Sequence, residues 1–171
     1  MTTTAEQSSV VVGVDGSDTA LGAARWAAEF AAKHTLPLTL VHAIPRLDWH
    51  FAGADAPAGL DRSFDSDTVL AGARDAVQST YPDLAISTTA VKGPVATVLA
   101  DASVSARLLV VGTGAADHRA LGGHAVKLAY RADCPVVVWR QAVAKRTGKP
   151  LPVVVGIDES DESTRALSEA F

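Results

Sequence analysis

Three groups of residues in this chain have types and spacings that could do chemistry. Asp15 ends the apolar run Val10-Val11-Val12-Gly13-Val14, and a carboxylate at the carboxyl end of a buried strand can accept hydrogen bonds from a ribose hydroxyl or an adenine amino group. Asp15 or Ser17 can equally cap the helix that follows, because either side chain can bond its free N–H groups. Glycines recur at Gly112, Gly114, Gly122 and Gly123. A glycine-rich turn lets backbone N–H groups approach phosphate oxygens, and a helix opening at Gly123 would add a dipole that favours an anion. His118, Arg119 and His124 are close by in the sequence; they either supply positive charge to such a site or form a solvated loop tip.

Other chemistries lack their residues. The five histidines fall at positions 34, 42, 50, 118 and 124, and only His118 and His124 approach a ligand spacing, so no metal site is expected. No Gly-x-Ser-x-Gly follows a strand, and no Gly-x-x-x-x-Gly-Lys is present; a serine hydrolase and a P-loop ATPase are both disfavoured. No residue is placed to act as nucleophile or to activate water, and no catalytic residue is assigned.

The elements that must carry these residues can be read from hydrophobic period. Residues 10–15 read as a strand buried on both faces. Residues 20–33 follow as a helix with Ala24, Ala27, Ala28 and Ala31 on or near one face. A second strand is expected over 38–43, and a second helix over 66–81 with Val69, Leu70, Ala73, Ala76 and Val77 inward. Residues 84–91 alternate weakly as a third strand, and 95–105 read as a helix started by Pro94. A fourth strand at 108–112, a helix at 123–132 and a fifth strand at 135–139 complete the series. Strand and helix in alternation predict a parallel sheet covered by helices on both faces. The loop 45–65 carries Trp49, His50 and Phe51, either a lid or partner contact beside the sheet or a small cluster packed on its edge.

Of the 171 residues 48% are hydrophobic and 20% charged, with a formal net charge of −4. That is enough apolar material for one full core. The longest basic run is Lys145-Arg146, so a nucleic-acid partner is not expected. No apolar run approaches the roughly 20 residues of a membrane helix, and residues 1–9 lack the features of a leader. A cytoplasmic protein is expected, in keeping with a single cysteine, Cys134, which reads as a buried structural thiol.

The chain also repeats itself. Val153-Val154-Val155-Gly156-Ile157-Asp158-Glu159-Ser160-Asp161 restates the run from Val10 to Asp18, and about half of the positions from 10 to 28 recur. A repeat this long indicates a tandem domain rather than a solenoid. The expected organisation is a flexible start at 1–9, a domain at 10–140 and a linker at 141–150. Residues 151–171 would then be the first strand and partial helix of a second domain in a longer protein.

Taken together, Val-Val-Val-Gly-Val-Asp-Gly-Ser at 10–17, Leu-Leu-Val-Val-Gly-Thr-Gly at 108–114, and Gly122-Gly123 followed by a helix and Cys-Pro-Val-Val-Val at 134–138 resemble the universal stress protein family. The resemblance implies an open five-stranded parallel α/β sheet in the order 3-2-1-4-5, with ATP or AMP held at the carboxyl ends of strands one and four. Magnesium would enter only with a nucleotide, and hydrolysis would be slow or absent. It further implies that Asp15 contacts the nucleoside and that the backbone of Val41 or a neighbour faces the adenine edge; an ordinary core strand is the other reading of Val41. The family's phosphate loop is Gly, two residues, Gly, nine residues, then Gly with Ser or Thr. Gly112 fits its first position, Ala115 stands at the second with Gly114 displaced by one, and Gly122 and Gly123 stand last. The loop is three residues short and the hydroxyl is missing, which implies weak binding, with Gly123 and His124 left to meet the anion. Finally, the resemblance implies a homodimer or intramolecular pseudo-dimer paired through 136–139. The alternative function is a dimerisation or scaffold domain that binds no nucleotide.

Overall fold

The computed structural model describes residues 9–45, 66–113, 123–140, 153–157 and 160–170. The chain divides into two units, Met1–Gln141 and Ala142–Phe171. The described residues of the first carry β1 (Ser9–Gly13), α1 (Asp18–Lys33), β2 (Leu38–Ile44), α2 (Ser66–Gln78), β3 (Ile86–Lys92), α3 (Val95–Ser103), β4 (Ala106–Thr113), α4 (Gly123–Arg131) and β5 (Val136–Arg140). The strands make one sheet in the expected order β3-β2-β1-β4-β5, every pair parallel.

Burial explains why β1 is central. Val10, Val11 and Val12 are 0%, 3% and 0% exposed, which requires cover on both faces. Val10, Val12 and Val14 pack with α1 and α2, in a core that includes Leu38, Leu40, Val69 and Leu70. Val11 turns the other way, toward Val41, Leu109 and Val111 under Leu99 of α3 and Leu128 of α4. The period-two alternation of the strands thus separates two apolar layers. The inward face of α2 is Val69, Leu70, Ala73 and Val77; Ala76, expected with them, is only half-buried. Elements end within a few residues of expectation, the largest shift being the end of α2, at Gln78 rather than 81; β3 starts at Ile86 after a turn through Leu84.

α1 lies on the sheet through alanines at 20, 23, 24, 27, 28 and 31, all buried. Small side chains on that stripe let the helix axis come close to the strands. Beside the stripe, half-buried Trp26 and Phe30 pack against the same core, Trp26 stacked on Phe30 with centroids 5.7 Å apart, and Phe30 against His34 at 4.2 Å. The helix ends when Leu36 N–H reaches back to the Ala31 carbonyl at 2.9 Å, which forces Thr35 to φ 55°. A β-branched residue is strained there, whereas glycine is not. Thr35→Gly should therefore stabilise the protein by about 0.5–1 kcal/mol. An unchanged or lower urea midpoint would show that the turn is not held in this conformation.

Pro94 starts α3 as its N-cap, at φ −62° and ψ 132° and without a side-chain cap bond; Gly93 before it, at φ 156°, donates to the Ile44 carbonyl at 2.9 Å. One further detail differs from the sequence reading: Cys134 is half-buried rather than buried. Burial still raises its thiol pKa above the ordinary value, and the residue packs against the layer under α3 and α4. Ser103, 0% exposed, joins α3 to the turn before β5 by donating to Ala100 O at 2.6 Å and accepting from Asp133 N at 2.8 Å.

In the second unit α5 spans Asp161–Ala170. Ser160 Oγ accepts from Ser163 N at 3.2 Å, as Ser17 Oγ accepts from Ala20 N at 3.2 Å, so the repeated helix starts with the same cap. The repeated strand does not form. Residues 153–157 take no regular structure, and Val153, Val154 and Ile157 are exposed. A central parallel strand is held by ladders on both sides, as β1 is by β2 and β4, and residues 153–157 have none among the described residues.

Candidate functional site

The end of β1 is fastened to β2 by consecutive residues. Val14 N–H donates to Val41 O at 2.9 Å, and Val14 O lies 2.7 Å from His42 Nδ1. A carbonyl can only accept, so His42 carries its proton on Nδ1 and donates. His42 is buried, and the sequence reading assigned it no part in the site. From this anchor the chain turns through Asp15 and Gly16, the latter at φ 82° where glycine is favoured. Asp15 Oδ1 accepts from Ser17 N at 2.9 Å and from Ser17 Oγ at 2.6 Å. With its proton given to Asp15, Ser17 Oγ accepts from Thr19 Oγ1 at 3.0 Å and from Ala20 N. Ser17 is therefore the cap of α1, and Asp15 braces the cap while remaining exposed to solvent.

Beside this turn is a crevice of about 210 Å³ at the carboxyl ends of the strands. Gly13 and Asp15 contribute from β1 and the turn after it, Val41 and Ala43 from β2, and Val111 and Gly112 from β4. Val95 and Leu99 of α3 and Leu128 of α4 form its wall. It opens between β1 and β4, where strand order reverses, the usual ligand position in open parallel sheets. A larger hollow of about 580 Å³ lies at the opposite ends of the strands, between the turns around Leu36 and Tyr81. Among the described residues Asp83 is the only charged side chain on its lining. Thr35, Thr80 and Tyr81 join Asp83 on that lining, whereas among the described residues Asp15 is the one polar side chain on the smaller crevice.

The structure brings Asp15, Val41 and Gly112 together around the crevice. Gly123 opens α4, with His124 in its first turn. Gly114, Ala115 and Gly122 lie outside the described residues, as do His118, Arg119, Trp49, His50 and Phe51. Gly112 has a packing role the sequence did not show: a Cβ there would stand 2.5 Å from Thr19 O and 3.0 Å from Ala20 N. The apolar wall was also missed. Ala43 could have been found, since it lies two residues beyond Val41 on the same face of a strand; Val95, Leu99 and Leu128 come from distant helices and left no local signal. Among the described residues no group of three or more His, Cys, Asp or Glu could hold a metal ion.

At the edge of the sheet β5 is half-buried from Val136 to Trp139. Val136 and Val138 pack on one layer, Val137 and Trp139 on the other. The Trp139 ring fills the space over Gly22 of α1, where no Cβ could fit. The outer edge of β5 has no strand partner among the described residues, and no helix among them is long and apolar enough to cross a membrane.

This arrangement has known counterparts. A universal stress protein of Mycolicibacterium smegmatis is 33% identical over 186 residues, taking in 100% of this chain and 61% of its own length. Universal stress protein Rv2624c of Mycobacterium tuberculosis is 30% identical over 165 residues, with 94% of this chain and 58% of its own length covered. The chain thus spans about 60% of the length of these curated relatives. Among solved structures, a universal stress protein in complex with cAMP matches with a TM-score of 0.61 and 25% identity, covering 80% of this chain and 98% of that one. The model of the Universal stress protein family itself spans residues 8–140, the whole sheet from β1 to β5, and the chain belongs to that family.

Proposed function

We propose that the crevice binds an adenine nucleotide, ATP or AMP, and that the domain acts as a regulatory module of the stress response, in the cytoplasm, rather than as a catalyst. The observation that carries the reading is the convergence of the Asp15 carboxylate, the Val41 backbone and Gly112 at the point where strand order reverses. Asp15 would take the ribose hydroxyls, and the nucleotide's phosphates would lie toward Gly123 and the N-terminus of α4. The match to a relative solved with cAMP supports the same ligand class. A crevice of about 210 Å³ is below the roughly 300 Å³ at which small-molecule sites begin. It would enclose the nucleoside and leave the phosphates in the open, and with a shortened glycine loop that means weak affinity.

A second reading is favoured by the edge of the sheet. The apolar, unpaired outer edge of β5 could pair with a second β5, making a homodimer or an intramolecular pseudo-dimer with a following domain. In support of such a domain at 151–171, Ser160 caps α5 in the way Ser17 caps α1. On this reading the domain keeps the fold for dimerisation or scaffolding.

Thermal unfolding of the full chain with millimolar ATP, AMP and cAMP separates the two. A ligand at 100 times its Kd stabilises by about 2.7 kcal/mol, so the melting temperature should rise by several degrees with at least one of them. No rise with any would remove the nucleotide reading. Sedimentation of the same sample would then decide for or against the dimer.

A further inference from the structure

The hollow at the other ends of the strands, about 580 Å³ in volume, is left unused by the nucleotide reading. Its size falls inside the roughly 300–1,000 Å³ of small-molecule sites, which are mostly apolar with a few polar groups. Leu36, Tyr81 and Leu84 on its lining are half-buried, packed on the core behind them. The two turns that carry them are already fixed, because Pro37 O accepts from Val10 N at 2.9 Å and Ala85 O accepts from Leu38 N at 2.9 Å. The hollow is therefore preformed, and a ligand would not have to order it. Thr35 and Asp83 line it with side chains that have no hydrogen bond or ion pair among the described residues. Thr35 also stands at φ 55°, where a β-branched residue is strained and glycine is not. Strain kept at one position is a pointer to function there.

We propose that this hollow binds a small organic cation, a primary ammonium group on an aromatic or alkyl body. The sign of the charge comes from the elements that end there. The last turn of α1 and the turn after α2 both line the hollow, so two helices direct the negative ends of their dipoles toward it. Asp83 adds the one formal charge on the described lining. Lys33 acts electrostatically on Tyr81, but its own charge is offset by Glu29, whose carboxylate is 2.7 Å from the ammonium. The Tyr81 ring offers a cation its π-face, Leu36 and Leu84 offer an apolar body its contact, and the hydroxyls of Thr35 and Thr80 can accept from ammonium N–H groups. An anion would be repelled by the same carboxylate and dipoles. The site is at the opposite end of the sheet from Asp15, so the inference stands independently of the nucleotide reading.

The test titrates the full chain with phenethylamine and with 3-phenylpropionate, a body of similar size and opposite charge, and follows the backbone amide signals by NMR. Phenethylamine at millimolar concentration should shift the amides of Leu36, Tyr81 and Leu84 and leave those of Val41 and Gly112 in place. 3-Phenylpropionate should bind about tenfold more weakly or less. Asp83→Asn, an exposed change that breaks no bond among the described residues, should weaken the amine about threefold to fivefold; Asp83→Lys should reverse the preference between the two compounds. Thr35→Gly should bind the amine about threefold more weakly while melting higher than the wild type, a divergence that a purely structural residue would not give. The proposal is overturned if phenethylamine shifts no amide around the hollow or shifts only those of the Asp15 crevice. Equal affinity for the two compounds, or wild-type amine affinity in Asp83→Asn, would overturn it as well.

Discussion

Replacing Gly112 by alanine should cost the domain about 3 kcal/mol or more, the upper end of what overpacking does. The added Cβ would stand 2.5 Å from the carbonyl oxygen of Thr19 and 2.7 Å from its carbonyl carbon. Both are backbone atoms in the first turn of α1, and they cannot move alone. The helix is held down along its length by six buried alanines and at its start by the Asp15–Ser17 bonds. Two other glycines give the scale. At Gly13 the Cβ would meet Leu99 Cδ1 at 2.9 Å, the end of a flexible side chain, and Gly13→Ala should cost about 1 kcal/mol. At Gly72, in α2, nothing lies within 4 Å, and alanine should stabilise by up to about 1 kcal/mol through helix propensity. Urea unfolding of the three variants at constant m-value would show this order. A Gly112→Ala loss no greater than that of Gly13→Ala would mean that α1 does not approach β4 so closely.

The second large effect is expected at Asp15. Asp15→Ala should reduce nucleotide affinity about 100-fold, because a charged acceptor facing ligand hydroxyls contributes roughly 1.5–3 kcal/mol. It should also cost about 1 kcal/mol of stability, since Ser17 N–H and Oγ lose their acceptor. The two roles separate in Asp15→Asn. An amide oxygen can still accept from Ser17, so stability should change by less than about 0.5 kcal/mol, while loss of the charge should leave AMP about tenfold weaker. Calorimetric titration beside thermal unfolding reads both. Wild-type affinity in both variants would make Asp15 a turn residue only, and the crevice would need another anchor for its ligand.

What the sequence by itself determined is the fold. The run Val10-Val11-Val12 is apolar at consecutive positions, the pattern of a strand covered on both faces, and it is found at the centre of the sheet. The alanine spacing of α1, the inward face of α2 and the regular change of period between strand and helix are local features. Local features are legible because they depend on neighbours within a turn or two. Ser17 was also legible as a possible cap, since capping involves residues three apart.

Tertiary structure decided what each site residue does. That Gly112 is needed for the approach of Thr19 and that His42 fastens Val14 both depend on contacts between segments distant in the chain. No periodicity records such contacts. The same limit explains the repeat at 153–157: its sequence matches β1, but a parallel strand exists only when neighbouring strands hold its backbone. The helix after it forms with its own cap, because an α-helix satisfies its hydrogen bonds within itself.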